Sequence, residues 1–275
     1  MQLPQRIYRT MRKHLDVLVP QRDYAWPHRV MFIAGLPKSG TTWLAQLLAE
    51  VPGYRIRQPT DPDGCVMQHN ICKEAFAALP RNRYSVVKYH TQFSETNLAA
   101  IQAHHLRTVV MYRDLRDQCV SRYFHVLYDP THRHHRHYNE VSPETGLSHC
   151  IEVTLDEYMP WVQRWLPCLS QYPDKFCEVR YEALSADPVG TLSRVIEFYQ
   201  IRLSPEQVTG IVRQVAGRTK FDLRLNLRRK SGTARKGRVG DWRNHFAEEH
   251  VHRFKEVCGQ FLVELGYERD LEWHR

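Results

Sequence analysis

Residues 30–43 read VMFIAGLPKSGTTW, an apolar stretch that runs directly into a short turn. The first four residues are β-branched or large and apolar, which is typical of a strand buried on both faces. Three turn-forming residues follow, namely Gly35, Pro37 and Gly40. The next ten residues, 41–50, predict a helix. A strand, a loop and a helix in this order aim backbone N–H groups at one point. The stretch therefore predicts an anion-binding loop, to which Lys38 adds a positive charge.

This loop differs from the phosphate loop of nucleoside triphosphatases, which reads G-x-x-x-x-G-K-[ST]. Gly35 and Gly40 have the required spacing, but Thr41 stands where that loop has lysine, and the lysine is at position 38. The strand predicted at 108–112 is followed by Arg-Asp, which suits an anion contact better than a magnesium ligand. The loop therefore predicts a phosphorylated ligand that needs no metal.

Composition limits the class of protein. The chain has 275 residues, of which 42% are hydrophobic and 25% charged, enough for one globular domain over 1–275. No apolar run approaches the length of a membrane span, and the first residues lack the apolar core of a signal peptide. The seven cysteines contain no C-x-x-C pair, so we expect reduced thiols in a cytoplasmic protein without a membrane partner.

The formal net charge of +9 implies an anionic partner, which is a nucleic acid, an acidic membrane surface or a multiply phosphorylated small ligand. The basic residues that stand out lie inside motifs rather than in one continuous tract. This distribution favours the small ligand and argues against nucleic acid.

The order of predicted elements indicates the fold. Strands at 30–33, 84–89, 108–112 and 176–181 alternate with predicted helices, including 114–127, 154–170 and 243–265. Such alternation predicts an α/β, three-layer P-loop-type fold with a central, mainly parallel sheet flanked by helices. Ligands of these sheets bind at the carboxyl ends of the strands, where Lys38, His90 and Arg113 would lie.

Three stretches have no clear periodicity. Residues 1–27 form an N-terminal lead-in, and we expect 129–149 and 217–240 to be mobile binding loops. The first of these loops is rich in histidine. A zinc site is an alternative to an acceptor-gating role there, with the candidate ligands His132, His134, His135 and His137.

Several segments together resemble the cytosolic sulfotransferases, which use 3′-phosphoadenosine-5′-phosphosulfate (PAPS). The loop from Pro37 to Trp43 is similar to the 5′-phosphosulfate loop of that family. Arg113 and Ser121, eight positions apart, resemble its 3′-phosphate motif, and residues 235–242 (RKGRVGDW) resemble its C-terminal loop. Lys88-Tyr89-His90 resembles its Lys-x-His. These matches occur in the family's order from residue 31 to 246.

The resemblance implies contacts to PAPS, and to its product PAP, without a metal. The residues implied are Lys38, Ser39, Gly40, Thr41, Thr42, Trp43, Arg113, Ser121, Tyr181, Thr219, Phe221, Arg235, Lys236 and Gly237. Charge physics agrees, because a donor with phosphates at two points needs cations and N–H donors at two points.

The resemblance also implies the catalytic residues. His90 is the expected general base, since a neutral imidazole can take the proton that the acceptor loses. Lys38 is expected to stabilise the charge that builds on the leaving phosphate. Lys88 is expected to contact the sulfuryl group, and Ser121 to hold Lys38 until the acceptor binds.

The acceptor is expected to be a small molecule with a hydroxyl or an amine. Acidic residues in the variable loops (Asp61, Asp63, Glu140, Glu144) would tolerate a polar or cationic one. The family's dimer signature is absent, because Ala247, Glu248 and His252 occupy its places, which predicts a monomer or a different interface. Two other functions stay open, a P-loop kinase of a small metabolite and a non-catalytic binder of nucleic acid.

Overall fold

A five-stranded parallel sheet forms the centre of the molecule. The computed structural model describes residues 24–59, 69–77, 79–80, 82–229 and 237–274, except for the side chains of residues 73, 75 and 218–229. The strands are β1 Val30–Gly35, β2 Tyr54–Ile56, β3 Tyr84–Tyr89, β4 Thr108–Tyr112 and β5 Phe176–Arg180. Their order is β2-β3-β1-β4-β5, and every neighbouring pair is parallel. The carboxyl ends of all five strands therefore meet at one edge.

The helices connect these strands and cover both faces of the sheet. In the described part of the chain they are α1 Thr41–Leu48, α2 Lys73–Ala77, α3 Glu95–Ala103, α4 Leu115–Tyr128, α5 His135–Glu140, α6 Pro143–Val153, α7 Met159–Gln171, α8 Tyr181–Ala186, α9 Pro188–Phe198, α10 Pro205–Arg229 and α11 Glu248–Glu264. A π-helical turn, Thr154–Tyr158, joins α6 to α7 without a break, and a 3₁₀ turn, Asp241–Asn244, precedes α11.

The alternation of side chains along β1 creates two cores. Phe32 and Ala34 pack on one face with α3, α4, α6, α7 and α11. Met31 and Ile33 pack on the other face with α1, α8, α9 and α10. Successive strand residues point to opposite faces, so a central strand that is apolar throughout can fill both cores. The predicted α/β, three-layer fold with a parallel sheet is confirmed.

Two predicted loops are partly helical, and both predictions were wrong to that extent. Segment 129–149 contains α5 and the start of α6. Ser142 caps α6, because its hydroxyl accepts a hydrogen bond from the Thr145 amide at 3.2 Å, and Pro143 occupies the first turn. In segment 217–240, α10 continues to Arg229. Residues 230–236 lie outside the described part.

The helix predicted at 154–170 begins eleven residues earlier than expected. Thr154 does not cap it, because its hydroxyl donates a hydrogen bond back to the Cys150 carbonyl at 2.9 Å, inside a continuous helical rod. Within the described ranges, no helix is both long enough and apolar enough to cross a bilayer. The single domain over 1–275 stays a prediction, and of the lead-in 1–27 only residues 24–27 are described.

Candidate active site

The loop between β1 and α1 is held in a fixed and partly strained shape. Gly40 has a φ of 83°, and a Cβ placed there would lie 2.6 Å from Cδ2 of Tyr181. A Cβ at Gly35 would lie 2.0 Å from the Thr41 methyl group. Lys38 also has a positive φ, 67°, which costs an ordinary residue about 1 kcal/mol or more. Such geometry persists only where the surroundings enforce it.

This loop has the polar groups that an anion requires. The α1 helix begins at Thr41 with no side-chain cap on its first amides. The Ser39 hydroxyl is fully buried and has no hydrogen-bond partner among the described residues. Buried polar groups without partners are rare in folded proteins, so both features fit a ligand phosphate at the start of α1.

Positive charges converge on the loop. Burial, with the nearby charges of Lys88 and Arg113, lowers the pKa of Lys38 to about 8, although Asp129 raises it. Burial also lowers the pKa of Lys88, which lies near the end of β3. Cations held close together in a partly dry site attract a multiply charged anion strongly.

His90 directly follows β3, and its ring is fixed from one side. Its Nδ1 atom lies 2.7 Å from the Gly35 carbonyl oxygen, which can only accept a hydrogen bond. The proton of the neutral ring is therefore on Nδ1, and Nε2 carries the lone pair. Burial lowers the pKa of His90 to about 4, a trend that Lys88, His69 and Lys38 reinforce and the bond to Gly35 opposes. His90 is thus a neutral base at physiological pH.

The residue after His90 is anchored on the helical layer. The buried Thr91 carbonyl accepts hydrogen bonds from two indole N–H groups of α7, that of Trp161 at 2.8 Å and that of Trp165 at 3.2 Å. This double anchor fixes the backbone immediately beyond the imidazole.

Arg113 follows β4 and is 6% exposed. Its guanidinium lies 4.3 Å from the centre of the Tyr181 ring, and it donates hydrogen bonds to the Asp117 carboxylate at 3.1 Å and to the Arg238 carbonyl at 3.2 Å. Its buried Nε has no hydrogen-bond partner among the described residues. Arg113 is therefore preorganised and keeps one donor available for a ligand oxygen.

Asp117 connects this arginine to the C-terminal loop, a function that the sequence did not reveal. Besides Arg113, it accepts hydrogen bonds from the Gly240 amide at 2.7 Å and the Trp242 amide at 3.0 Å. Burial raises the pKa of its carboxyl, whereas Arg113 and the two amides lower it. The spacing of Asp117 four residues after Arg113 on α4 is the sequence signal that was available.

The remaining predicted residues fall into two groups. Trp43 and Tyr181 make an edge-to-face contact at 6.2 Å, and the Tyr181 hydroxyl donates to the Gly237 carbonyl at 2.8 Å. Ser121 is half-buried on α4, and Thr42 is exposed at the start of α1. Arg235, Lys236, Asp61 and Asp63, together with the side chains of Thr219 and Phe221, lie outside the described residues.

The histidine-rich segment does not have the geometry of a metal site. Over the described ranges, no three His, Cys, Asp or Glu side chains are placed so that they could hold a metal ion. The zinc alternative therefore receives no support from the positions of His132, His134, His135 and His137.

Comparisons with known proteins identify the family of this chain. The profile of the Sulfotransferase domain family matches residues 28–266. Flavonol 3-sulfotransferase of Flaveria bidentis is 24% identical over 285 residues, covering 91% of this chain and 86% of that protein. Cytosolic sulfotransferase 3 of Arabidopsis thaliana is 26% identical over 254 residues, covering 85% and 76%.

Solved structures show the same fold. Mouse sulfotransferase SULT7A1 complexed with PAP has a TM-score of 0.66 at 19% identity, covering 88% of this chain and 86% of that chain. Retinol dehydratase in complex with androsterone and the inactive cofactor PAP has a TM-score of 0.58 at 19% identity, covering 87% and 82%. The family profile spans most of the chain, and the predicted resemblance to the PAPS-dependent cytosolic sulfotransferases is confirmed. The chain belongs to the sulfotransferase domain family and is an enzyme of the sulfotransferase class.

Proposed function

We propose that this protein transfers a sulfuryl group from PAPS to a hydroxyl or an amine of a small molecule, with His90 as general base. The observation that carries the proposal is the contact of His90 Nδ1 with the Gly35 carbonyl at 2.7 Å. This contact fixes the basic Nε2 beside the loop that carries Lys38. A base beside an anion-binding loop, at the carboxyl edge of a parallel sheet, is the arrangement that group transfer from a phosphate donor requires.

The residues present fit PAPS as the co-substrate. The unpartnered Ser39 hydroxyl, the uncapped start of α1 and the Lys38 ammonium suit its 5′-phosphosulfate. The Nε of Arg113, with Ser121, suits its 3′-phosphate. The further contacts proposed are those of Gly40, Thr41, Thr42, Arg235, Lys236 and Gly237 with the phosphates, and those of Trp43, Tyr181, Thr219 and Phe221 with the adenine. When bound, PAPS supplies the sulfuryl group and PAP as its leaving group.

His90 and Lys38 divide the chemistry between them. The acceptor O–H or N–H gives its proton to His90 Nε2 while the new bond to sulfur forms. Lys38 stabilises the charge on the phosphate oxygen as the old S–O bond breaks, and Lys88 contacts the sulfuryl oxygens. Phosphate charges beside Lys38 would offset the positive charges that lower the pKa of His90, which makes the ring a better base in the complex.

The acceptor type, the assembly and the location complete the proposal. The flavonol and cytosolic names of the relatives support a small hydroxylated acceptor in a cytoplasmic enzyme. All six cysteines in the described part of the chain are free thiols, which agrees with a reducing compartment. We propose a monomer or a non-standard dimer that acts without metal, membrane or nucleic acid.

The test compares two variants in two assays. His90→Asn should lower turnover with PAPS and a phenol acceptor by at least about a hundredfold, because the base is lost. It should leave the Kd for PAP within about threefold, since the proposed donor contacts do not involve His90. Lys38→Ala should damage both turnover and PAP binding.

Near-normal turnover of His90→Asn would refute the base assignment. If PAP added without magnesium leaves the thermal unfolding curve of the protein unchanged, the donor assignment is refuted. In that case phosphoryl transfer from ATP with magnesium, or salt-dependent binding of nucleic acid, would become the function to pursue.

A further inference from the structure

One face of α4 runs from the donor loop into the histidine-rich segment. Gln118, Arg122, His125 and Asp129 follow one another at intervals of four, three and four residues, so they share a stripe of the helix. The stripe starts at the loop, because Gln118 Nε2 donates a hydrogen bond to the Pro37 carbonyl at 3.0 Å. His125 lies about 10 Å further along the helix axis.

Arg122 is a buried cation without a carboxylate. It is 5% exposed, and it donates hydrogen bonds to the Tyr158 hydroxyl at 3.1 Å, the Tyr138 hydroxyl at 3.3 Å and the Cys150 sulfur at 3.6 Å. Among the residues that the structure describes, no Asp or Glu pairs with it. The Cys150 thiol compensates part of this charge, because its hydrogen bonds and the charge of Arg122 lower its pKa despite its burial. A buried charge is costly unless opposite charge offsets it fully, so the remaining positive charge suits an anion that arrives from outside the chain.

Four histidine rings follow one another in space on this side of the molecule, and we call His125, His132, His134 and His149 the imidazole cluster. Successive ring centres are 6.3, 5.7 and 5.4 Å apart in that order. The Tyr138 hydroxyl bridges Arg122 to His149, whose Nδ1 lies 3.0 Å away. Burial lowers the pKa of all four imidazoles, and the charge of Arg122 lowers each further. The lowered pKa values keep the four rings neutral near pH 7, so they can offer N–H donors to a ligand while Arg122 supplies the positive charge.

One member of the imidazole cluster, His125, interacts electrostatically with Lys38. The Lys38 ammonium is, after burial, the largest cause that lowers the pKa of His125, to about 4. His125 is therefore within electrostatic range of the group that holds the donor, on the same helix as Ser121 and one turn beyond it.

We propose that Arg122 and the imidazole cluster form an acceptor subsite for a carboxylate, so that the acceptor is a hydroxylated or amine-bearing small molecule with a carboxylate at its far end. This inference rests on the proposed function for the position of the reacting atom. Gln118, which contacts the donor loop, and His125 are about 10 Å apart along the helix axis, and this distance suits an aromatic ring between the reacting group and the carboxylate.

The nearby carboxylates do not provide an equivalent cation site. Asp129, at the end of the stripe, is one-third exposed, lies 3.8 Å from His125 and accepts two hydrogen bonds from Thr131. The exposed Glu140 pairs with Arg136 at 2.6 Å. Arg133, which donates to the His134 ring at 2.9 Å, adds a further positive charge. The balance of charge around the imidazole cluster thus favours an anionic acceptor over the cationic one that the acidic residues suggested.

The test uses three phenols of similar size that differ in charge. These are 4-hydroxyphenylacetate, 4-ethylphenol and tyramine, which are anionic, neutral and cationic at pH 7. With the full chain and PAPS, kcat/KM should be at least about tenfold higher for the anionic phenol than for either of the others. In parallel, titration calorimetry measures the binding of each phenol to the complex with PAP.

Two matched variants distinguish a specific effect of the subsite from a general effect of removing one positive charge. Arg122→Gln should lower kcat/KM for the anionic phenol by at least about tenfold and change that for the neutral phenol by less than about threefold. Arg136→Gln removes the same charge from an exposed position on α5 and should leave kcat/KM unchanged for all three phenols. Should Arg122→Gln not fold, His125→Phe and His149→Phe are expected to give the same selective loss.

Equal activity with the three phenols, a preference for tyramine, or an equal loss for all three in Arg122→Gln would overturn the proposal. If no phenol is turned over, equal or absent binding of the anionic phenol to the PAP complex would also overturn it. Failure of PAP itself to bind would instead count against the proposed function, since Arg122 is not among the proposed donor contacts.

Discussion

Asp117 is the residue whose replacement tests the architecture of the proposed donor site most directly. Its buried carboxylate accepts hydrogen bonds from Arg113, from the Gly240 amide and from the Trp242 amide, at 3.1, 2.7 and 3.0 Å. Asp117→Asn keeps the shape of the side chain but removes the charge. The new amide also places an N–H donor against groups that are themselves donors, so at least one of the three bonds must be lost.

The expected cost follows from these contacts. Breaking a buried ion pair from one side typically costs about 3–5 kcal/mol. Arg113 retains the Arg238 carbonyl and the Tyr181 ring, so we expect the lower end, about 3 kcal/mol of unfolding free energy. Arg113 would no longer be held in place, and loss of one charge-assisted phosphate contact, about 1.5–3 kcal/mol, predicts roughly a ten- to hundredfold higher Kd for PAP.

Denaturant unfolding measures the loss of unfolding free energy, and calorimetric titration measures the Kd for PAP. Asp174→Asn is the matched control, since Asp174 is exposed in the turn before β5 and should tolerate the change within about 0.5 kcal/mol. A loss below about 1 kcal/mol in Asp117→Asn, together with a Kd within twofold of the parent, would refute the view that this carboxylate joins Arg113 to the C-terminal loop.

Two further predictions concern the loop and the base. Gly40→Ala places a Cβ 2.6 Å from the Tyr181 ring at a residue with a left-handed backbone, and it should lower the free energy of unfolding by about 1–3 kcal/mol in denaturant titrations. The control Gly210→Ala, in open space on α10, should be neutral or stabilising. Equal effects of the two substitutions would contradict the strain argument. His90 has a pKa near 4 when folded against about 6.5 when unfolded, so the unfolded chain takes up the proton first. Its contribution, roughly 3 kcal/mol at most, is fully present above pH 6.5 and is lost as pH falls to 4, and stability should fall less steeply over that window in His90→Asn. If stability falls with pH at the same rate in the parent protein and in His90→Asn, His90 is not held neutral by the fold.

The elements that position the proposed donor site were predictable because their signals are local. The loop at 35–40, the arginine after β4 and the histidine after β3 each follow an apolar run, and parallel strands bring their carboxyl ends together. Strands 84–89 and 108–112 have the predicted bounds for the same reason. Each of these predictions needed only the apolar pattern of a strand and the identity of the residues that follow it.

Other features depend on contacts between distant segments. The edge strand β2 has only three residues, Tyr54–Ile56, two of them exposed, which is too short for a periodic signal. The docking of the C-terminal loop on Asp117 joins residues more than 120 positions apart. The partners of Arg122 likewise come from α5, α6 and the π turn, and no single stretch of sequence reveals them.

The π turn between α6 and α7 determines the direction in which the side chains of α7 point. Each residue of a helix advances the chain by about 100°, so deleting one residue between Thr154 and Tyr158 would swing both indole N–H groups of α7 away from the Thr91 carbonyl. Insertion of seven residues, nearly two complete turns, would restore their direction but displace them by about 10 Å along the axis. Neither a deletion nor an insertion in this helical rod would therefore preserve both hydrogen bonds, and the fold fixes the spacing between the histidine-rich segment and the two tryptophans.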